Sequence, residues 1–228
     1  MNTDWKAAEE ALRRIGVNGS EDNELVVISG YADGVRCIGI GTDAAVFTYD
    51  QTPGYAYKIF APQAISKIPV EASVYDKLQG SPYFPVYYGH GANYLVMSYE
   101  SGPTLQDCLL QGIEVPEQVI LDVEIAREYV RSVGLNPRDI HLKNVIVQDG
   151  HAKVIDVSEY VQEGDDKRWD HLVWAYYQFY DRIAGRSIPS WVLDTIKNWY
   201  SRIDRINNNL SLEDFAKRVG DLFSKYMK

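Results

Sequence analysis

Residues 136–158 read Asn-Pro-Arg-Asp-Ile-His-Leu-Lys-Asn, then Val-Ile-Val-Gln-Asp-Gly-His-Ala-Lys-Val-Ile-Asp-Val-Ser. The second part is two β-prone runs around Asp149-Gly150, the signature of a two-residue type I′ hairpin. Such a turn pairs Gln148 with His151 and, counting back, Asn144 with Ile155, which leaves Asn144 and Asp156 side by side. An amide oxygen and a carboxylate at the open end of a hairpin suit Mg²⁺. Asp139, in the loop just before, can orient or deprotonate a hydroxyl.

A second set of chemical groups lies upstream. Alternation along 55–60 puts Ala56, Lys58 and Phe60 on one face, and if that face is covered the Lys58 ammonium needs a partner. Glu71 falls with Val74, Tyr75 and Leu78 at i, i+3, i+4 and i+7, on the stripe of a helix that should face the core. Either residue taken singly reads as well as a rim charge. Together the two misplaced charges explain each other. Gly39 and Gly41 lie between two strands, where glycine lets the backbone approach a phosphate chain, although an ordinary hairpin turn is the plainer reading of the pair.

The elements that must hold these groups follow from pattern. Residues 4–15 carry Trp5, Ala8, Leu12 and Ile15 at helical spacing. After a polar loop at 18–23, the runs 24–29, 35–39, 45–49 and 55–60 read as an antiparallel meander, with a helix from 62 onward and strands at 83–88 and 94–99. Ser101-Gly102-Pro103 breaks the chain. Beyond it the pattern turns helical, at 105–110, 116–133, 169–183, 189–206 and 212–226, with the hairpin at 145–155 as the main β element. The helix at 169–183 is apolar nearly all round. By layer rules this is an α+β chain with two lobes: residues 1–100 (N-terminal helix, antiparallel sheet and Glu71 helix) and residues 101–228 (hinge, loop, hairpin and helices).

Composition bounds the function. The 228 residues are 46% hydrophobic and 24% charged, ordinary for a globular chain able to bury a core. A net charge of −9, with no Lys/Arg run, argues against nucleic acid and against an acidic membrane surface. No stretch is apolar enough for a membrane span or a secretory leader. Cys37 and Cys108 stand far apart with no metal-ligand spacing, which fits a reducing cytoplasm.

In this order the features resemble the protein-kinase superfamily, in an atypical, minimal form similar to bacterial Ser/Thr kinases with some traits of small-molecule kinases. Gly39 and Gly41 match its first two loop glycines, Val46 the valine over the base, and Ala56-Tyr57-Lys58 its Ala-x-Lys. Glu71 matches the helix glutamate and Met97 the gatekeeper. Asp139 and Asn144 stand five apart, as the family's catalytic loop requires, and Asp156 follows the hairpin. The resemblance implies a two-lobed kinase-like fold with a β-rich N-lobe and a helical C-lobe, ATP and Mg²⁺ as cofactors, and a hydroxyl acceptor on a protein or a small molecule. Asp139 would serve the acceptor hydroxyl, and Asn144 and Asp156 would hold Mg²⁺. Lys58, fixed by Glu71, would contact the α and β phosphates, while backbone groups at Ser98, Tyr99 and Glu100 would bind adenine. Asp170 resembles the aspartate that anchors the catalytic-loop backbone, its alternative being a helix cap.

Departures narrow the expectation. Ala44 replaces the third loop glycine, Pro137 the His before Arg138-Asp139, and Val157-Ser158 the Phe-Gly after the metal aspartate. Fourteen steps separate Asp156 from Asp170, too few for an activation segment with a peptide platform, and Ser158 is its only Ser or Thr, so Arg138 is not expected to clamp a phosphorylated loop. His141 stands where small-molecule kinases of the aminoglycoside and choline type often carry histidine. Lys143 supplies a charge for substrate or phosphate or is simply solvated. The acidic run 162–166 reads as a solvated loop that favours a basic substrate. The leading expectation is an ATP- and Mg²⁺-dependent protein serine/threonine kinase. Its alternatives are a small-molecule kinase and a nucleotide-binding pseudokinase, the last disfavoured because a non-catalytic binder has no chemical need for Asp139.

Overall fold

The computed structural model describes residues 4–19, 24–205 and 217–222, with residues 201–205 given by their backbone alone. The chain is mixed α/β. Its main sheet has five antiparallel strands: β3 (Val35–Ile40), β4 (Ala44–Tyr49), β5 (Tyr55–Phe60), β6 (Tyr87–His90) and β7 (Tyr94–Ser98), in the order β3-β4-β5-β7-β6. Register sets Val46 opposite Lys58, Lys58 opposite Leu95 and Ala56 opposite Met97, so these side chains share one face.

The two faces of this sheet belong to different hydrophobic clusters. Ala45, Phe47, Tyr57, Ile59, Tyr94 and Val96 pack under Trp5, Ala8, Leu12, Ile15 and Val17 from the N-terminal segment. The opposite face, with Ala56, Leu95 and Met97, is continuous with α2 (Ile68–Leu78) and with the interior of the C-terminal half. Burial on both sides explains why β4, β5 and β7 are apolar almost throughout instead of alternating.

The N-terminal segment departs from the helix expected over 4–15. A 3-10 turn (Asp4–Ala8) leads into the short α1 (Glu9–Leu12), and Ile15 already begins β1 (Ile15–Asn18), which pairs with β2 (Val27–Gly30) in a separate two-stranded sheet. The run 24–29 is therefore not part of the meander. The helix stops because Ile15-Gly16-Val17 alternates with β-branched residues, and strand pairing outweighs the helical spacing upstream. Gly30, at φ 81°, is required where the strands close, since a Cβ there would lie 2.0 Å from the Arg14 carbonyl oxygen. The strand expected at 83–88 begins only at Tyr87, because Pro82 and Pro85 cannot donate to a ladder. Of the loop expected at 18–23, residues 20–23 lie outside the described residues, as do 206–216 and 223–228 at the C-terminus; residues 217–222 of the last expected helix are helical.

After residue 100 come α3 (Leu105–Gln111), α4 (Glu117–Ser132), the hairpin β8 (Val145–Gln148) and β9 (His151–Val154), α5 (Arg168–Ile183) and α6 (Ser190–Arg205). Thr104 caps α3 through a reciprocal box with Asp107. The hairpin has the expected register, with Gln148 opposite His151 and both turn residues at positive φ, 49° for Asp149 and 82° for Gly150. Contrary to expectation, α5 is not buried all round. Trp169, Tyr180 and Ile183 are buried, whereas Tyr177 lies outward with its hydroxyl on Glu117 and Tyr176 donates to the Val115 carbonyl. Tyr177 turns its polar tip to the surface, whereas the Tyr176 and Tyr180 hydroxyls bond the Val115 backbone. Among the described residues no helix is long and apolar enough to cross a membrane.

Asp122, buried on α4, fixes the hairpin: its carboxylate accepts from Gln118 Nε2 at 2.8 Å and the Ala152 amide at 3.0 Å, and lies 2.9 Å from His151 Nδ1. Asp122→Ala strands the buried Ala152 N–H and should cost about 1–3 kcal/mol. The readout is thermal unfolding, with a drop of about 2–4 °C per kcal/mol; an unchanged melting temperature would show that the hairpin is held by other contacts.

Candidate active site

Lys58 is where three segments meet. Its ammonium, carried by β5, lies 2.7 and 3.0 Å from the two carboxylate oxygens of Glu71 on α2, and 3.4 Å from Asp156 Oδ1 just after β9. Burial works against the Lys58 charge, but Asp156 and Glu71 more than offset it and hold the ammonium above its usual value. Burial likewise pushes the Glu71 carboxyl up, with Lys58 opposing. Since Lys58 is held cationic by two carboxylates, the ion-paired form is the one present at neutral pH. For Asp156, burial is outweighed by Lys58 and the Ser158 amide, and the group stays below its usual value.

The hairpin register continues past its strands as expected, the Ile155 amide donating to the Asn144 carbonyl at 2.9 Å, which sets Asp156 one residue beyond the partner of Asn144. Asn144 Nδ2 donates to the Asp139 carbonyl, also at 2.9 Å, which sets the orientation of the amide. Lys58 and Ser158 both contact Oδ1 of Asp156. This donor set is all oxygen, the chemistry of a hard cation that completes its shell with water and phosphate oxygens. Among the described residues no group of three or more His, Cys, Asp or Glu side chains is poised for a metal.

Asp139 stands at φ 54°, a left-handed conformation that Asp tolerates better than most residues. Asp166 holds it there: Oδ2 accepts the Asp139 amide at 2.7 Å, while Oδ1 accepts the Arg168 amide and Nε at 2.9 and 3.0 Å. Arg168 in turn reaches Asp139 Oδ1 with Nη1 and Asp166 Oδ2 with Nη2. Burial outweighs Arg168 and pushes the Asp139 carboxyl up to about 6. His141 Nε2 lies 3.6 Å from Asp139 Oδ1, and burial and Arg168 keep its imidazole below the usual value, hence neutral.

Two expectations are corrected here. The residue that anchors the Asp139 loop is Asp166, not Asp170, which instead pairs with Arg127 at 2.8 Å. Nor is the whole 162–166 run solvated: the Asp166 side chain is only 7% exposed. Sequence reasoning missed both Asp166 and Arg168. The available signal was position, an Asp two residues before a helix start, where its carboxylate can accept backbone amides.

Val46, Ala56 and Met97 share the inner sheet face with Lys58, and the Tyr75 hydroxyl contacts Met97 Sδ at 3.7 Å. Gly39 pairs with Val46 next to a bulge, and Gly41 closes the turn by donating to the Ala44 carbonyl at 2.9 Å. Neither glycine has positive φ, and a Cβ on Gly39 would meet only Val46, at 3.8 Å. Gly39 therefore leaves open space above the backbone, whereas a Cβ on Gly41 would lie 3.3 Å from the Ala44 carbonyl oxygen. The segment expected to bind adenine is partly committed. The Ser98 amide donates to Val86 and the Tyr99 amide to Gly54, so among the three residues expected to bind adenine these two N–H groups are spent. Glu100 accepts from Ser98 Oγ at 2.5 Å and pairs with Lys153 of β9 at 3.7 Å.

With this geometry in view, similarity to known proteins becomes informative. No family model matches the chain. It is 36% identical over 173 residues to a Bacillus subtilis (strain 168) protein named "Putative serine/threonine-protein kinase YrzF", covering 72% of this chain and 80% of that one. The chain belongs to the YrzF family of kinase-like proteins.

Replacing Lys58 by Met leaves Glu71 buried without its cation and should lower stability by about 3–5 kcal/mol at neutral pH. The raised carboxyl of the variant is uncharged in acid and loses that relief as pH rises, so the deficit should grow as pH rises above the usual carboxylate range. Urea unfolding at several pH values measures it; a deficit independent of pH would mean that Glu71 is not the group left unpaired.

Proposed function

We propose that this chain is an ATP- and Mg²⁺-dependent protein serine/threonine kinase with two lobes, residues 1–100 and 101–228, and its site between them. The observation that carries the reading is the Lys58 ammonium held between Glu71 and Asp156, one loop away from Asp139. Lys58, steadied by Glu71, contacts the α and β phosphates. The Gly39/Gly41 turn covers the phosphate chain, Val46, Ala56 and Met97 line the base, and the hinge around Ser98, Tyr99 and Glu100 supplies the remaining backbone contact through groups not already spent. Asn144 and Asp156 hold Mg²⁺, which when bound neutralises charge on the phosphate oxygens. Asp139 orients the acceptor hydroxyl and takes its proton. Positioning and charge neutralisation supply most of the rate in such a site. The name of the YrzF relative supports serine or threonine as acceptor.

A second reading, a small-molecule kinase, draws on the twelve steps between Asp156 and the start of α5, which leave little room for a peptide platform, and on His141 beside Asp139. Asp156→Ala should weaken Mg²⁺-dependent ATP binding, and Asp139→Asn should cut phosphoryl transfer by about a hundredfold or more with ATP affinity nearly intact. Unaltered transfer in the Asp139 variant would remove it as the base. Incubation with γ-labelled ATP and a crude cytosol assigns the acceptor. Label in the protein fraction supports the first reading, label in small molecules the second, and ATP binding without transfer a pseudokinase.

A further inference from the structure

We propose that Asn136 is a positioning residue for Asp139: it clamps the segment 160–166 onto the loop before β8, and so sets the Asp166 carboxylate against the Asp139 amide. This rests on the reading of Asp139 as the group that receives the acceptor hydroxyl. One residue takes three carbonyls of that segment. The Asn136 amide donates to the Tyr160 carbonyl at 2.9 Å, and Asn136 Nδ2 donates to the carbonyls of Gln162 and Gly164 at 2.9 and 2.8 Å. Arg138 takes the carbonyl between the last two, its Nη1 donating to Glu163 at 2.5 Å. Gly164 stands at φ 97°, and a Cβ there would lie 3.0 Å from Arg138 Nη1, so glycine is what lets the segment come this close.

Packing does not fix the path of this segment. Tyr160 and Trp169 are buried, but residues 161–165 between them are all exposed and contribute no side chain to the core. Toward α5, Asp166 is held by Arg168, whose amide and Nε donate to its Oδ1. On the other side, among the described residues, the hydrogen bonds from 161–165 to more distant parts of the chain all come from Asn136 and Arg138. Asp139 needs that support, because its left-handed backbone persists only where the surroundings hold it. A group that must meet a hydroxyl also loses rate steeply when displaced by about 1 Å. The hydrogen bonds of Asn136 go to backbone carbonyls and not to Lys58, Asn144 or Asp156, so a change there acts on the Asp139 loop and spares the phosphate-side groups.

The test uses the full chain with γ-labelled ATP and a crude cytosol, reading the maximal rate and the KM for ATP separately. Asn136→Asp keeps the side-chain shape and removes both Nδ2 hydrogens. It should lower the maximal rate about tenfold while the KM for ATP stays within about twofold, a split that a general loss of stability does not produce. Exchange of the Asp139 amide, followed by NMR, should quicken about tenfold as Asp166 draws away. Gly164→Ala pushes on the same clamp from the opposite side and should give the same pattern; it decides the matter if Asn136→Asp does not fold. A maximal rate unchanged in both variants, a KM for ATP that rises in step with the fall in rate, or an Asp139 amide that exchanges no faster overturns the proposal. The two readings fail separately. If the unaltered chain transfers no label, the kinase reading falls and the clamp is judged by the Asp139 amide; if it transfers label and the variants match it, the clamp falls and the kinase reading stands.

Discussion

A buried ammonium must be paired, and the rest of this structure is arranged around that requirement at Lys58. Removing its charge from water costs several kcal/mol, recovered only when carboxylates approach with good geometry. Here they come from opposite directions, Glu71 from the helix that follows β5 and Asp156 from the far side of the hairpin, 98 residues along the chain. β5, α2 and the hairpin are therefore electrostatically interlocked. The Glu100–Lys153 pair adds a second tie between hinge and hairpin, and a continuous apolar cluster runs from the inner sheet face into the C-terminal half. The Lys58 ammonium is thereby held in position and already compensated.

Around Asp139 a different balance holds. The loop keeps a left-handed aspartate in place through the Asp166 carboxylate, whose two oxygens are divided between the Asp139 amide and Arg168. The loop is thus fixed by a side chain of its own segment. This fits a segment only twelve steps long between Asp156 and α5, in which Ser158 is the sole hydroxyl residue short of tyrosine and already lies against Asp156.

The N-terminal segment has a structural job. Without it, Phe47, Tyr57, Ile59 and Val96 would face water on the outer side of the sheet. Trp5 anchors the cover, accepting the Tyr57 hydroxyl on its carbonyl at 3.2 Å, and Tyr57 also shares a 2.7 Å hydrogen bond with Thr52. A sheet carrying Lys58 on its inner face is thereby stiffened from behind, which limits how far the ammonium can drift.

Local patterns determined much of this chain. The Asp149-Gly150 turn dictated the hairpin register and with it the pairing of Asn144 with Ile155, the residue before Asp156, because a two-residue turn admits essentially one alignment. Alternation in β5 and helical spacing in α2 announced Lys58 and Glu71 as partners, since two charges on apolar stripes have few other ways to be satisfied. The limits of that legibility are equally physical. Whether Ile15 continues a helix or starts a strand depends on a partner strand twelve or more residues away, and whether a hinge amide is free depends on which carbonyl packs beside it. Asp166, two residues before α5, and Asp170, in its first turn, are both acids at one helix start; the approach of the Asp139 backbone to one and of Arg127 to the other shows which holds the loop. The sequence by itself determined which groups must be paired. Tertiary structure decided which of several equivalent charges did the pairing, because that choice rests on distances between segments that no local period encodes.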